Sequence, residues 1–177
     1  TVMLAEESAD IVGLDISAPM LQEARQKAQQ KGVDDRLEFM RGDAARLPFP
    51  DNHFDTVFAM RFFHLTETPV SFLTEMARVS KEQVFFDTFN RFSTRSIYNW
   101  LLPMGSRLDN QQEVEQLLLN AGLRLARENH DFVLPFGLYR QLPGNVADVI
   151  RRLDESVGET PAGNQLSSVS YWNAQVR

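Results

Sequence analysis

The sequence contains no cysteine among its 177 residues. Disulfide bonds and thiolate metal sites are therefore excluded, and the absence fits a cytoplasmic protein, which is the location we expect. No apolar run approaches the length needed to cross a bilayer, so we expect no transmembrane segment. Basic residues do not dominate either, because 18 lysines and arginines stand against 24 acids. The net charge of −6 argues against an electrostatic grip on nucleic acid.

Apolar strand-like runs alternate with amphipathic helical stretches along the chain. The predicted strands span residues 11–16, 37–40, 54–60, 83–89, 123–132 and 167–176. Helices are predicted over residues 19–31, from Thr68 or Pro69 onward, from a capping box at Asn110 and Glu113 to Gly122, and over residues 145–157. This alternation predicts an α/β fold with a mostly parallel sheet, and the length fits a single domain over residues 1–177.

The segment at residues 11–21 predicts a short buried strand that turns directly into a helix. Asp15 comes where the strand would end, Ser17 suits the N-cap, and Pro19 falls in the first helical turn. A carboxylate at the end of such a strand can accept hydrogen bonds from both hydroxyls of a ribose. The alternative interpretation is that Asp15 only helps to cap the helix.

A second acid, Asp43, follows the next predicted strand by a few residues. Its carboxylate could accept a hydrogen bond from an adenine amino group, while the backbone N–H of Ala44 bonds to a ring nitrogen. Residues 47–49 could cover one face of a purine, and Ile16 and Met20 could cover the other. On its own Asp43 is better explained as a residue that orders its loop. Together with the acid at the end of the first strand, it favours an adenosine site.

These segments together resemble the class I, Rossmann-like S-adenosylmethionine-dependent methyltransferases. The match is closest to the small-molecule branch that includes the ubiquinone and menaquinone biosynthesis methyltransferases. It rests on residues 13–17, 20–21, 42–44, 47–49 and 54–55, and it extends to about Val84. The resemblance implies S-adenosylmethionine as cofactor and a small-molecule methyl acceptor as partner. It also implies a seven-stranded Rossmann-like sheet with helices on both faces and an antiparallel last strand.

The resemblance further implies roles for single residues on the cofactor. Asp15 would bind the ribose hydroxyls, and Asp43 would bind the adenine amino group. The backbone of Ala44 would bond to the adenine ring, and the side chains of Ile16 and Met20 would pack on it. Nothing in the family pattern calls for a metal, and no metal site is predicted.

One departure from the family concerns the N-terminal part of the fold. The family's first strand and the glycine-rich turn that approaches the methionine moiety have no counterpart here, and Thr1 would follow directly after that turn. We therefore expect residues 1–177 to be a methyltransferase domain that lacks its N-terminal part and binds cofactor poorly or not at all. A smaller departure is the replacement of the usual glycine pair before the fourth strand by residues 81–83.

Three residues after the third predicted strand are candidates for the methyl-transfer side. The resemblance implies that Met60 lines the methionine arm of the cofactor. His64 is the best candidate base, which the reaction needs only for a weakly acidic nucleophile. The alternative for His64 is a structural histidine packed against the helix that begins near Pro69. Arg61 could meet an anionic substrate or pair with a nearby acid.

Two segments interrupt the regular alternation and are predicted to be insertions on the substrate side, at residues 91–107 and 132–163. The first carries Tyr98 and Trp100, which would form an apolar lid over the acceptor or a small local core. Long loops in compact domains are often functional. An apolar acceptor would fit such a lining, but the residues do not name one.

Direct in-line methyl transfer to a small molecule is the function that these observations favour. A nicotinamide-dependent oxidoreductase is one alternative, since an acid at a strand end also serves a dinucleotide ribose. A non-catalytic binding protein that kept the methyltransferase fold is another. The sequence leaves open the acceptor, the atom that is methylated and the oligomeric state.

Overall fold

The computed structural model describes residues 2–7, 10–93, 96, 106–131, 148, 150–152, 154, 160 and 166–177. The chain divides into two compact units, Thr1–Pro50 and Asp51–Arg177. Within the described residues, no helix is both long enough and apolar enough to span a bilayer.

The first unit is a short helix followed by a β-α-β arrangement. Its elements are α1 (Val2–Glu7), β1 (Ile11–Asp15), α2 (Ala18–Lys31) and β2 (Leu37–Arg41). β1 and β2 pair in parallel, from Ile11 opposite Leu37 to Asp15 opposite Arg41. Parallel neighbours need a crossover connection, and α2 supplies it. The carboxyl ends of both strands therefore lie at the same edge.

Local signals determine where α2 begins and ends, as the sequence predicted. The side chain of Ser17 accepts a hydrogen bond from the Met20 N–H at 3.4 Å, and a proline lies in the first turn. At the other end Gly32 adopts φ +66°, a left-handed conformation that suits glycine. The buried core of this unit is formed by four side chains: Ala5, Ala28, Val33 and Leu37.

One expectation for this unit was wrong. The residues of β1 are half-buried rather than fully buried, and the strand ends at Asp15, so that Ile16 lies beyond it and is 66% exposed. Met20 in the first turn of α2 is 54% exposed. It lies about 100° around the helix from Leu21, which places it on the edge of the buried stripe.

Among its described residues, the second unit contains a four-stranded mixed sheet and two complete α-helices. Its strands are β3 (Phe54–Ala59), β4 (Ser80–Phe89), β5 (Leu123–Asp131) and β6 (Val169–Val176). Their order is β3-β4-β6-β5, with β3 parallel to β4 and β6 antiparallel to both of its neighbours. The Rossmann-like fold class with an antiparallel last strand is therefore confirmed. The helices are α3 (Pro69–Val79) and α4 (Gln111–Asn120).

Residues of β4 alternate between the two faces of this sheet, as the period of a strand requires. Val84 and Phe86 belong to the core that also contains residues of both helices, whereas Phe85 is half-buried. Thr88 is also buried, and its hydroxyl accepts a hydrogen bond from the indole N–H of Trp172 at 2.9 Å. The core is centred on eleven buried residues: Phe63, Leu73, Met76, Val84, Phe86, Val114, Leu118, Ala121, Leu123, Trp172 and Ala174.

β4 begins three residues earlier than predicted, at Ser80 rather than Gln83. Phe54 of β3 pairs with Ser80, and the register then shifts before Thr56 pairs with Gln83. Because this irregular pairing depends on another strand, a search for local apolar runs could not find it. The predicted helix at residues 145–157 falls largely outside the described residues, although positions 148, 150–152 and 154 are helical.

Candidate cofactor-binding and methyl-transfer sites

Asp15 lies at the end of β1 and is half-buried. Its Oδ1 accepts a hydrogen bond from the backbone N–H of Ser17 at 2.8 Å. The helix-capping role that the sequence offered as an alternative is therefore real. The Asp15 carboxylate can accept further hydrogen bonds, since a carboxylate has about four lone-pair positions. Ribose binding by Asp15 stays a prediction that this geometry permits.

Asp43 is exposed on the turn that follows β2. Its Oδ1 accepts from the Ala45 N–H at 2.8 Å, and its carbonyl accepts from the Arg46 N–H at 3.0 Å. The side chain thus orders its own loop, as the second alternative held. The backbone N–H of the preceding Gly42 donates to the Asp15 carbonyl at 3.2 Å, which continues the β1–β2 ladder by one residue. Asp43 therefore begins its turn directly beside the end of β1.

Gly42, directly after β2, lies against the Leu14 side chain of β1. A Cβ atom built there would lie 2.8 Å from Cδ1 of Leu14, closer than side-chain atoms approach one another. A larger residue at position 42 would therefore require the end of the Leu14 side chain to shift.

Apolar surface lies beside these carboxylates in the first unit. Ile16 and Met20 are 66% and 54% exposed, so both side chains present apolar surface to solvent. Nε of Arg41 donates to the Ile16 carbonyl at 3.0 Å and so holds the backbone of the turn. Ala44 is half-buried. An adenosine needs hydroxyl acceptors, an amino acceptor and an apolar ring contact, and the residues present fit it.

In the second unit, a tight turn follows β3, and we call residues 60–65 the β3 turn. Met60 at its start is 48% exposed. Arg61 has φ +58°, which is uncommon for a residue with a side chain. Its backbone N–H donates to Oδ1 of Asp87, a residue of β4 that is only 4% exposed. Arg61 is thus tied to a nearby acid through its backbone, which neither of its predicted roles anticipated.

Asp87 is the main polar residue that the sequence analysis did not single out. Burial raises the pKa of its carboxyl, while the Arg61 N–H and the nearby His64 act in the opposite direction. The signal was present in the sequence, because an acid inside an otherwise apolar strand is rarely buried without a partner. What the sequence could not provide was the partner, which lies 26 positions away.

His64 is half-buried in a 3-10 turn at Phe63–Leu65. Its ring lies against Phe89 of β4, with the ring centroids 4.5 Å apart. The structural alternative placed the histidine against α3, and the structure shows this contact with β4. Its carbonyl accepts from the Arg107 N–H at 3.0 Å. A role for His64 as a base stays a prediction.

The described ends of the first insertion return to β4. Arg91 N–H donates to the Asp109 carbonyl at 3.1 Å, and Asp109 N–H donates to the Phe89 carbonyl at 2.9 Å. Tyr98 and Trp100, the two aromatic residues predicted to form a lid, lie outside the described residues. Most of the predicted insertion at residues 132–163 does so as well.

Comparison with known proteins finds a family match over the N-terminal part of the chain. Residues 1–86 match the family described as a methyltransferase domain. Over 86 residues the chain is 45% identical to the demethylmenaquinone methyltransferase of Lactiplantibacillus plantarum, a match that covers 46% of this chain and 35% of that relative. The resemblance to the class I methyltransferases is confirmed. It was recognisable because the acid at the strand end, the Gly-Asp pair and the apolar loop keep a regular order.

Two further comparisons extend this result. The ubiquinone/menaquinone biosynthesis C-methyltransferase UbiE of Pseudomonas paraeruginosa is 48% identical over 54 residues, covering 30% of this chain and 21% of that protein. The crystal structure of magnesium protoporphyrin IX methyltransferase from Synechocystis PCC 6803, with bound SAH, superposes with a TM-score of 0.69 at 18% identity. That match covers 99% of this chain and 68% of the other, and it confirms the methyltransferase fold. The matched stretches span about a third or less of the two curated relatives, at 35% and 21%.

Proposed function

We propose that the protein is an S-adenosylmethionine-dependent methyltransferase that acts on a small molecule. The observation that carries the proposal is the pair of carboxylates at one edge of the first unit, with Asp15 ending β1 and Asp43 opening the turn after β2. The family match over residues 1–86 covers both acids. Relatives named for quinone methylation support a small-molecule acceptor, which is the class that we assign.

In this proposal the first unit holds the adenosine of the cofactor. Asp15 accepts hydrogen bonds from the ribose hydroxyls while it keeps its bond to Ser17. Asp43 accepts from the adenine amino group, and the backbone N–H of Ala44 donates to the ring. The exposed side chains of Ile16 and Met20 pack on the adenine. When bound, S-adenosylmethionine supplies the electrophilic methyl group and its own leaving group, so the protein has to bind, orient and exclude water.

The second unit contributes residues to the methyl-transfer side. Met60 lines the methionine arm, and Arg61 meets an anionic group of the acceptor. His64 accepts a proton where the acceptor is too weak an acid to lose it unaided. Tyr98 and Trp100 cover the acceptor, and residues 91–107 and 132–163 form the substrate-side insertions of a single domain. The cytoplasm is the location that we propose.

Calorimetric titration of the whole protein with S-adenosylhomocysteine and, separately, with NAD tests the cofactor. We expect binding of S-adenosylhomocysteine and no heat from NAD. Binding of NAD alone would contradict the proposal and favour the oxidoreductase alternative. A panel of phenolic, amine and sterol-like acceptors with methyl-labelled cofactor then tests turnover. Tight binding of S-adenosylhomocysteine with no labelled product across the panel would favour a non-catalytic binding protein instead.

A further inference from the structure

The β3 turn is held at two points by other parts of the second unit. At its start, the Arg61 N–H donates to Oδ1 of Asp87 in β4. Near its end, the His64 carbonyl accepts from the Arg107 N–H at 3.0 Å. Between these points Phe63 is buried in the core, with its ring 4.8 Å from that of Phe86. A short turn that is bonded at both ends and anchored in the middle has little freedom to change its conformation.

The bond to Asp87 carries more of this constraint than an ordinary turn contact would. Arg61 has φ +58°, and a left-handed conformation costs free energy for any residue with a Cβ atom. Such a conformation persists only where the surroundings enforce it. A hydrogen bond from a backbone N–H to a carboxylate is charge-assisted and stronger than one to a neutral oxygen. Asp87 therefore stabilises the backbone at the residue that has the unfavourable conformation.

Packing alone gives no reason for an acid at position 87. The residue is 4% exposed, and a buried carboxylate costs free energy unless its charge is compensated. Arg61 and His64 of the β3 turn act on it favourably. Across the sheet Asp87 pairs in register with Tyr171 of β6, which is half-buried.

Two more charged groups lie near Tyr171. Asp131 of β5 and Arg151 both act on Tyr171, and they form an ion pair at 2.8 Å. Their opposite charges offset each other in the neighbourhood of Tyr171. Asp87 itself is bonded through Oδ1 to the backbone of the β3 turn.

We propose that Asp87 is a positioning residue that sets the β3 turn, and through it the placement of Met60 and His64. The inference rests on the proposed function, because those two residues belong to its methyl-transfer side. Asp87 does not need to touch either substrate. It acts by accepting the Arg61 N–H and keeping the left-handed conformation, so that the turn is preorganised before ligands bind.

Amide hydrogen exchange of the Arg61 N–H tests the placement of the turn without any substrate. Asp87→Ala removes the acceptor, and we expect exchange of that amide to accelerate about tenfold or more, the scale of one charge-assisted hydrogen bond. Asp87→Asn keeps an oxygen at the same place, so it should restore most of the protection. Thr88→Ala is the matched control, because it removes a buried hydrogen bond from the other face of β4 and leaves Arg61 untouched.

A second readout uses the intact protein, so it does not depend on whether Asp87→Ala folds. The Arg61 amide proton resonance should follow an acid titration in the wild-type protein and lose that response in Asp87→Asn. Once a methyl acceptor has been identified, Asp87→Ala should lower kcat about tenfold or more. The Kd of S-adenosylhomocysteine should change less than about threefold. Thr88→Ala should leave kcat unchanged even though it lowers the melting temperature.

Several outcomes would overturn the positioning role. These are unchanged Arg61 exchange in Asp87→Ala, equal acceleration in Thr88→Ala, or an Arg61 resonance that ignores the titration. The exchange and resonance data decide this point whether or not methyl transfer is found. Failure of wild-type protein to bind S-adenosylhomocysteine, with the exchange pattern as expected, would refute the proposed function and leave Asp87 as the residue that sets the turn.

Discussion

At the scale of single residues, the two acids of the first unit each combine a structural bond with remaining acceptor capacity. Asp15 caps the start of α2 through Ser17, and Asp43 orders its turn through Ala45. Each of these bonds uses a single carboxylate oxygen. A backbone N–H that holds the side chain in one orientation also preorganises its other oxygen for a ligand. The structural and functional interpretations of these residues are therefore compatible.

Replacement of Asp15 tests its assignment to the ribose. Asp15→Ala removes two charge-assisted hydrogen bonds to the cofactor, so we expect S-adenosylhomocysteine to bind more weakly by about 2–3 kcal/mol. Calorimetry of the whole protein measures this. Asp10→Ala, an exposed acid just before β1, is the matched control and should bind normally. Unchanged affinity in Asp15→Ala, with the fold intact, would contradict the assignment.

Asp43 is tested by exchanging the ligand as well as the residue. Asp43→Asn keeps an amide oxygen that can accept from the adenine amino group, so its loss of affinity should be smaller than that of Asp43→Ala. The inosyl analogue of S-adenosylhomocysteine replaces the amino donor with a carbonyl and should bind wild-type protein more weakly. Equal affinities for the adenosyl and inosyl compounds would show that Asp43 does not contact that group.

At the scale of elements, hydrogen bonds between near neighbours define where α4 begins, whereas the β3 turn also depends on bonds from distant residues. α4 begins at a capping box in which the Glu113 N–H donates to the Asn110 side chain and the Asn110 N–H donates to the Glu113 carboxylate, both at 2.9 Å. The β3 turn combines a local bond, from the Leu65 N–H to the Phe62 carbonyl at 3.0 Å, with bonds to Asp87 and Arg107, which lie far along the chain.

The capping box of α4 has a measurable contribution to stability. Asn110→Ala leaves the Glu113 N–H without its acceptor, and we expect the free energy of unfolding to fall by about 1 kcal/mol. Urea unfolding measures the change. Gln112→Ala, an exposed position one residue before Glu113, should alter stability by less than about 0.5 kcal/mol. Equal effects of the two substitutions would mean that the cap does not determine where the helix starts.

At the scale of the whole molecule, Asp87 links folding to pH. Burial raises the pKa of its carboxyl in the folded chain, so between about pH 4 and that raised pKa the folded state holds more protons than the unfolded state. Stability contributed by the protonated form is therefore lost as the pH rises through this window. Asp87→Asn has no such dependence. Its stability relative to wild type should rise with pH and then level off above the folded pKa.

Urea unfolding over a series of pH values measures this linkage, and Asp55 provides a control of opposite sign. Lys81 holds the pKa of the Asp55 carboxyl below its usual range through a 2.8 Å hydrogen bond. A lowered folded pKa contributes stability above the unfolded value and loses it as the pH falls. Asp55→Asn should therefore become slightly less stable than wild type as the pH rises. A flat difference between Asp87→Asn and wild type would refute the linkage.

The predicted lid is also a property of the whole molecule. Apolar side chains over an acceptor exclude water from the methyl group, so Trp100→Ala should slow acceptor turnover and leave the affinity for S-adenosylhomocysteine nearly unchanged. Steady-state kinetics and calorimetry on the whole protein separate the two. A lower melting temperature with unchanged acceptor kinetics would instead assign Trp100 to a structural core.

Local chemistry determined much of this protein by itself. The caps at Ser17, Gly32 and Asn110 were predictable because each depends on hydrogen bonds within five residues or on one backbone conformation. The strand and helix alternation followed from apolar periodicity, and the resemblance to the class I methyltransferases followed from the order of short motifs. For the same reason, the sequence predicts Asp15 at the end of β1 and Asp43 shortly after β2.

Only the tertiary structure decided what depends on pairing between distant segments. The strand order β3-β4-β6-β5, the start of β4 at Ser80 and the contact of His64 with Phe89 all require a neighbour that the local sequence does not specify. The bond from Arg61 to Asp87 is the clearest case. An acid inside an apolar strand is visible in the sequence. The backbone N–H that compensates the buried carboxylate belongs to Arg61, 26 positions away in the sequence. Only folding brings the two residues together.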